Sequence, residues 1–292
     1  MRIGSRGSSL ARVQADHVAK LLGGAEVVVI RTSGDQRSGA GGDKSRWVDT
    51  IEQALLEGEI DLAVHSAKDV PGELASGLAL LGVPERGPVE DVICGAGRVT
   101  ELPYGATVGT SSLRRAAQLL AARPDLQVCE LNGNVDTRLA KLSSHFDAIV
   151  LARAGLERLQ REQEIGALLD PETFVPSPGQ GALALEGRAD DQRAAAAAEA
   201  ITDATALPCL QAERELARVL QASCNTPLGA WCAPDGVGML RLRGWVGLPD
   251  GSAWIADELE GEDPVQLAQA LGGRMISVGA KEMLAQAEAM AP

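Results

Sequence analysis

The stretch "VGTSSLRRAAQ", Val108–Gln118, reads as the end of a strand, a small polar turn and the start of a helix. It sets Arg114 and Arg115 in the first helical turn, where the dipole is positive and each cation costs roughly 0.3–1 kcal/mol. Such a helix start offers free backbone N–H groups, a cap or hydroxyl from Ser111 or Ser112, and two planar donor forks. That gathering becomes favourable once a carboxylate or phosphate sits in it, because arginine pairs bidentately with either. The competing reading leaves both arginines in solvent and makes Ser111 a cap.

The plan has an echo. "IGSRGSSLARVQA" (3–15) repeats strand, Gly, small polar turn, Ser-Ser-Leu, arginine and helix, bringing in Arg6 and Ser8. "NGNVDTRL" (132–139) adds Arg138 at a further helix start. Neither G-x-x-x-x-G-K-[ST] nor a strand-borne G-x-G-x-x-G occurs, so nucleotide phosphate is not the obvious guest.

Outward from these turns, strands are expected at 26–30, 60–64, 126–131 and 146–152, and helices at 9–22, 46–57, 113–123 and 193–201. This alternation predicts an α/β fold with mainly parallel sheets. "VPERGPVED" (83–91) and "VPSPGQGA" (175–182) are candidate hinges. After about 203 a long helix (205–221), turn signals between short strands and a closing helix from about 264 predict a separate α+β unit.

The 292 residues carry 27 Lys+Arg against 40 Asp+Glu, a formal net charge of −13 that disfavours nucleic acid and anionic membrane as partners. Any anion must therefore be held in a local pocket against the overall field. No run approaches 18 apolar residues and the N-terminus lacks an apolar signal core, so a cytoplasmic chain is expected. Five scattered cysteines and three histidines argue against disulfides and against a metal centre. Cys94, Cys129 and Cys209 lie in apolar runs and read as core.

Two more stretches carry chemistry. In "DLAVHSAKDVP" (61–71) a buried strand runs into His65, Ser66, Lys68 and Asp69 before Pro71 ends it. The carboxyl end of a parallel strand is where α/β folds place reactive groups, and Asp69 there can balance a cation or carry a proton. The bland alternative is a turn aspartate paired with Lys68, and His65 reads as a satisfied, half-buried side chain. In "QASCNTPLGAW" (221–231) Cys224 follows the long helix in a loop of small residues, a candidate nucleophile or attachment point against an incidental thiol.

Taken together, "HSAKDVP", "VGTSSLRR", "GNVDTRL", "PSPGQGALALE" and "CNTPLG" closely resemble the porphobilinogen deaminase (hydroxymethylbilane synthase) family, in the family's order and over nearly the whole chain. The resemblance implies three domains: 1–85 plus 181–201, 86–180, and a small α+β domain at 202–292. It implies that the first two fold like a type II solute-binding protein, bilobal, with mainly parallel sheets and helices on both faces. It implies one dipyrromethane cofactor per chain, held by a thioether to Cys224. Four porphobilinogen units are then joined to it with loss of ammonia, and hydroxymethylbilane is released by hydrolysis. Asp69 matches the catalytic aspartate. Arg6, Ser8, Ser66, Lys68, Thr110, Ser111, Ser112, Arg114, Arg115 and Arg138 match positions that hold the carboxylates of the cofactor. Lys44, Arg158 and Gln180 match more weakly as substrate or lid residues. Neither metal nor nucleic acid is implied, and a monomer is the default. The chain departs from the family pattern in the lid, "GGDKSRWVD" (41–49), where Asp49 replaces a lysine, and at Asn132, which replaces an arginine; weaker cofactor loading follows. A bilobal anion receptor, or a member of low activity, are the rival readings.

Overall fold

The computed structural model describes residues 1–30, 45–223 and 226–290, without the side chains of residues 45–48 and 143. The chain opens with β1 (Arg2–Ser5), α1 (Ser9–Leu21), β2 (Glu26–Val29), α2 (Ser45–Leu56), β3 (Leu62–Ser66) and β4 (Leu78–Gly82). It continues through β5 (Asp91–Cys94), β6 (Thr107–Gly109), α3 (Leu113–Ala122), β7 (Gln127–Cys129), α4 (Val135–His145), β8 (Ala148–Ala152), α5 (Arg153–Arg158) and β9 (Ile165–Leu169). Then come β10 (Leu183–Arg188), α6 (Gln192–Ala200), α7 (Ala206–Val219), β11 (Leu228–Pro234), β12 (Leu240–Gly247), β13 (Trp254–Gly261), α8 (Pro264–Ser277) and α9 (Ala280–Met290).

These elements form two compact units, Met1–Gly87 with Gly181–Leu207, and Pro88–Gln180 with Pro208–Pro292. The first holds a sheet of order β2-β1-β3-β10-β4, the second a sheet of order β7-β6-β8-β5-β9. In each, one strand (β1 or β6) pairs in parallel on both sides, and another (β10 or β5) runs antiparallel to both of its neighbours. The two sheets thus follow one plan, and the echo between the turns after β1 and β6 is its sequence trace. The fold is α/β, two mixed sheets of one plan with helices between their strands. A third, antiparallel sheet, β11-β12-β13, packs with α7, α8 and α9 around its own core of Leu216, Leu242, Leu271 and Met275.

Local chemistry explains the helix starts. Ser8 caps α1 by accepting from the Ala11 N–H, Ser112 caps α3 through the Arg115 N–H, and Asn134 caps α4 through the Thr137 N–H. The expected closing helix is broken: Gly279, at φ +100°, ends α8 and lets α9 restart. Cys94 and Cys209 are buried as expected, but Cys129 is exposed, because β7 is an edge strand. Burial pushes the Cys94 thiol up to about 11.

One buried acidic nest lies under α2. His65 Nε2 on β3 is 3.0 Å from Glu186 Oε2 on β10, both side chains almost fully buried. The contact is an ion-pair approach rather than a directed hydrogen bond, since neither Glu186 oxygen has a hydrogen-bond donor among the described residues. Burial raises the Glu52 carboxyl above its ordinary value against the Ala75 N–H bond that lowers it, and the Glu186 charge adds to the rise. A raised carboxyl stabilises the fold when protonated and loses that contribution as pH rises. Glu52→Gln should therefore stabilise the protein at pH 7 by a few tenths of a kcal/mol, on the order of other half-buried changes. The gain should shrink at pH 5, and thermal unfolding that shows the same gain at both pH values refutes this account.

Candidate active site

The turn after β6 is tightly built. Thr110 is buried, gives its N–H to the Cys129 carbonyl (2.9 Å) and accepts from the Ser112 N–H (3.2 Å). Ser111 is exposed and takes no part in the cap. Arg114 and Arg115 do not point into solvent: they are 4% and 5% exposed. Both turn inward to Asp91, which starts β5 and is fully buried. Arg114 Nη2 donates to one carboxylate oxygen (2.7 Å), while Arg115 Nε and Nη2 fork onto the other (2.9 and 2.7 Å). Their remaining donors reach the Val175 and Val150 carbonyls. The opening cations therefore already have an anion within the protein. It balances only one of them: two guanidinium charges face one carboxylate, and the buried Arg114 Nε has no hydrogen-bond partner among the described residues. Burial lowers the Arg114 pKa and Asp91 opposes this; an arginine remains cationic regardless.

Gln180 is also buried and donates to Asp91 Oδ1 (3.0 Å) and to the Val89 carbonyl (2.7 Å). Gln118 brackets Val175, donating to its carbonyl and accepting its N–H. Glu213, wholly buried on α7, accepts from the Gly179 N–H (2.7 Å) and the Cys232 N–H (2.8 Å), and the Ala230 N–H donates to the Pro176 carbonyl. Gly229 lies so close to Val175 that a Cβ would stand 2.8 Å from its carbonyl oxygen. Residues 175–180 thus join the arginine pair to α7 and β11, the two elements on either side of the cysteine loop. Cys224 itself lies outside the described residues, as does Lys44 of the lid.

Beside this core, α4 presents a more open group. Arg138 donates from Nε to the Gly133 carbonyl (2.8 Å) and from Nη2 to Ser111 Oγ (3.2 Å), so two predicted site residues meet. Gly133, at φ +121°, makes the turn that allows it. Arg158, half-buried at the end of α5, has its pKa lowered by burial.

In the other unit, β3 delivers Ser66 and a single 3-10 turn, Ala67–Asp69, that carries Lys68 and Asp69, both half-buried. Gln14 on α1 donates to Ser66 Oγ (2.8 Å), and the Ala67 N–H bonds the Ala182 carbonyl (3.0 Å), so the turn is held from two sides. Arg6 is half-buried just before the Ser8 cap. Each unit therefore gathers its own share of the expected residues: Arg6, Ser8, Ser66, Lys68 and Asp69 in one, Thr110 to Arg115, Arg138, Arg158 and Gln180 in the other.

Sequence reasoning missed Asp91, Gln118, Gln14 and Glu213. A carboxylate set directly against the apolar run "VIC" was the available signal, since a buried charge demands a partner. The surplus positive charge around Asp91, with an orphaned guanidinium N–H, and the Ser111–Arg138 surface both suit a ligand bearing carboxylates. No cluster of His, Cys, Asp or Glu that could hold a metal occurs among the described residues.

Residues 1–196 match the family described as "Porphobilinogen deaminase, dipyromethane cofactor binding domain", and residues 207–283 match "Porphobilinogen deaminase, C-terminal domain". The porphobilinogen deaminase of Brevibacillus brevis is 42% identical over 299 residues, covering 98% of this chain and 96% of that protein. That of Thermus thermophilus is 43% identical over 295 residues, covering 97% and 98%. Among solved structures, the VFT2 domain of Bordetella pertussis BvgS is similar at 16% identity and a TM-score of 0.40, over 73% of this chain and 91% of that one. With identity above 40% along almost its whole length, the chain belongs to the porphobilinogen deaminase family.

Proposed function

We propose that the chain is a hydroxymethylbilane synthase, which joins four porphobilinogen molecules head to tail on a dipyrromethane bound to Cys224 and releases the linear product by hydrolysis. The observation that carries this reading is the match of both family models, over residues 1–196 and 207–283. When bound, the dipyrromethane supplies the pyrrole terminus to which each new unit is joined. The chain's own residues bind, orient and move protons. Arg138 and Ser111 offer donors to acetate and propionate groups. Arg114 and Arg115 act through the one positive charge that Asp91 leaves over. Thr110 and Ser112 shape the turn that presents them. Arg6, Ser8, Ser66 and Lys68 serve the same anionic guest from the first unit, with Lys44, Arg158 and Gln180 in supporting roles. Asp69 holds the proton released at each condensation and balances positive charge as ammonia leaves.

The three segments 1–85 plus 181–201, 86–180 and 202–292 act as the domains of this enzyme. No helix among the described residues is long and apolar enough to cross a membrane. A cytoplasmic monomer that uses neither metal nor nucleic acid completes the reading.

Intact-mass measurement tests it. Protein purified from cells should carry an addition of two pyrrole units on the peptide containing Cys224. Cys224→Ser should fold, lose that addition and lose all turnover. A wild-type chain of bare mass that releases no ammonia from porphobilinogen would overturn the reading.

A further inference from the structure

The antiparallel sheet carries the tripeptide Pro-Asp-Gly twice, at 234–236 where β11 gives way to β12 and at 249–251 where β12 gives way to β13. Both turns hold their glycine in the left-handed region, Gly236 at φ +85° and Gly251 at φ +72°. Both are tied by their aspartate: Asp235 accepts the Val237 N–H (2.9 Å), and Asp250 accepts the Ser252 N–H (3.0 Å). Their surroundings differ. Gly236 is exposed, and no neighbouring heavy atom among the described residues lies within 4 Å of where a Cβ would stand. Gly251 is buried, although Asp250 and Ser252 on either side of it are exposed. A Cβ on Gly251 would stand 2.5 Å from the Leu120 carbonyl carbon and closer still to the Ala121 nitrogen. The second turn therefore rests on the backbone of α3, an approach that only glycine allows.

Helix α3 is the one that opens with Arg114 and Arg115. Arg114, Ala117 and Ala121 stand at i, i+3 and i+7, so they share one face. Val175 and Trp245 of β12 join Ala117 in one apolar cluster, and Gly251 meets the next turn of the helix. The sheet thus supports α3 along the face that begins at Arg114. We propose that Gly251 is a positioning residue for the arginine pair: the turn it permits seats α3 where Arg114 and Arg115 act on the carboxylates of the pyrrole cofactor. This rests on the functional reading above. A side chain at 251 would drive turn and helix apart by about 1 Å to restore van der Waals contact. A misplacement of that size costs about 10²-fold where a rate depends on alignment.

The test compares Gly251→Ala with Gly236→Ala, which bears the same left-handed strain without a neighbour to displace. Full-length chains are made free of cofactor in cells that cannot form porphobilinogen. Uptake of the two-pyrrole mass on adding porphobilinogen is followed at a temperature where each chain is folded. Gly236→Ala should load at the wild-type rate, and Gly251→Ala about tenfold to a hundredfold more slowly. Hydrogen exchange on the cofactor-free chains should quicken at the α3 amides, 116–122, in Gly251→Ala alone. Should that variant fail to fold, Asp250→Ala takes its place, since it frees the turn from both Ser252 bonds without adding an atom. It too should load more slowly than wild type. Loading at the wild-type rate in Gly251→Ala, or in Asp250→Ala as its substitute, overturns the proposal, and so does unchanged exchange in α3. Equal slowing in Gly251→Ala and Gly236→Ala also overturns it, because strain within the sheet would then be the cause. Failure of the wild type itself to load would instead sink the functional reading, while α3 exchange still reports the seating of the helix.

Discussion

Replacing Asp91 by Asn should destabilise the protein by about 3–5 kcal/mol, the usual cost of stripping the counter-charge from a buried ion pair. The argument is local. Arg114 and Arg115 are both more than nine-tenths buried, and the carboxylate they share is wholly so. Asparagine keeps the size of the side chain and one acceptor but leaves two guanidinium groups in a dry site with no negative charge. Gln180 loses a charge-assisted partner at the same time. Urea unfolding followed by circular dichroism measures the loss. A change below about 1 kcal/mol would mean that water or another acid reaches the arginines. Changing Arg115 to Met in the same chain should recover part of the loss, since one unpaired charge is then removed.

Asp69→Asn should leave stability near wild type while lowering turnover, and with it the rate of cofactor loading from porphobilinogen, about 10²–10⁴-fold, the range of a positioned acid–base group. Asp69 sits on a short turn, half-buried, at the carboxyl end of β3. The turn is held by bonds that do not involve its side chain, namely Gln14 to Ser66 and the Ala67 N–H to the Ala182 carbonyl, so its geometry should survive the change. Ammonia release from porphobilinogen reports turnover and intact mass reports loading. An Asn variant that turns over at the wild-type rate removes the role assigned to Asp69.

The parts of the fold that were legible in the sequence are those written in local chemistry. Helices α1, α3 and α4 begin at Ser or Asn caps that any reader of the chain can find, and the repeated turn after β1 and β6, open to chance as a sequence echo, falls at matching places in two sheets of one plan. Strands β4 and β10 were not foreseen: "LALLG" and "LALEGR" lack β-branched residues, and it is pairing within a buried sheet that makes them strands. Burial of Cys129 was expected from its apolar neighbours and fails because strand order, not composition, decides which strand lies at an edge. At the site, the types of residue were legible but their partners were not. Asp91 meets Arg114 across 23 residues and Gln180 across 89, distances over which sequence spacing carries no information. The positive turn was read as a call for a guest alone, whereas the protein answers half of it internally.

The stretch from Val175 to Gln180 belongs to no helix or strand, yet its length is fixed at several points at once. Val175 is bracketed by Gln118, Pro176 receives the Ala230 N–H, Gly179 is held by Glu213, and Gln180 reaches Asp91. A segment of this kind cannot absorb an inserted or deleted residue, because one step of slippage would misplace every one of these bonds. Natural variation in chain length among relatives should therefore collect in places such as the exposed tip at 236–238, and this connection should keep its spacing even where its side chains drift.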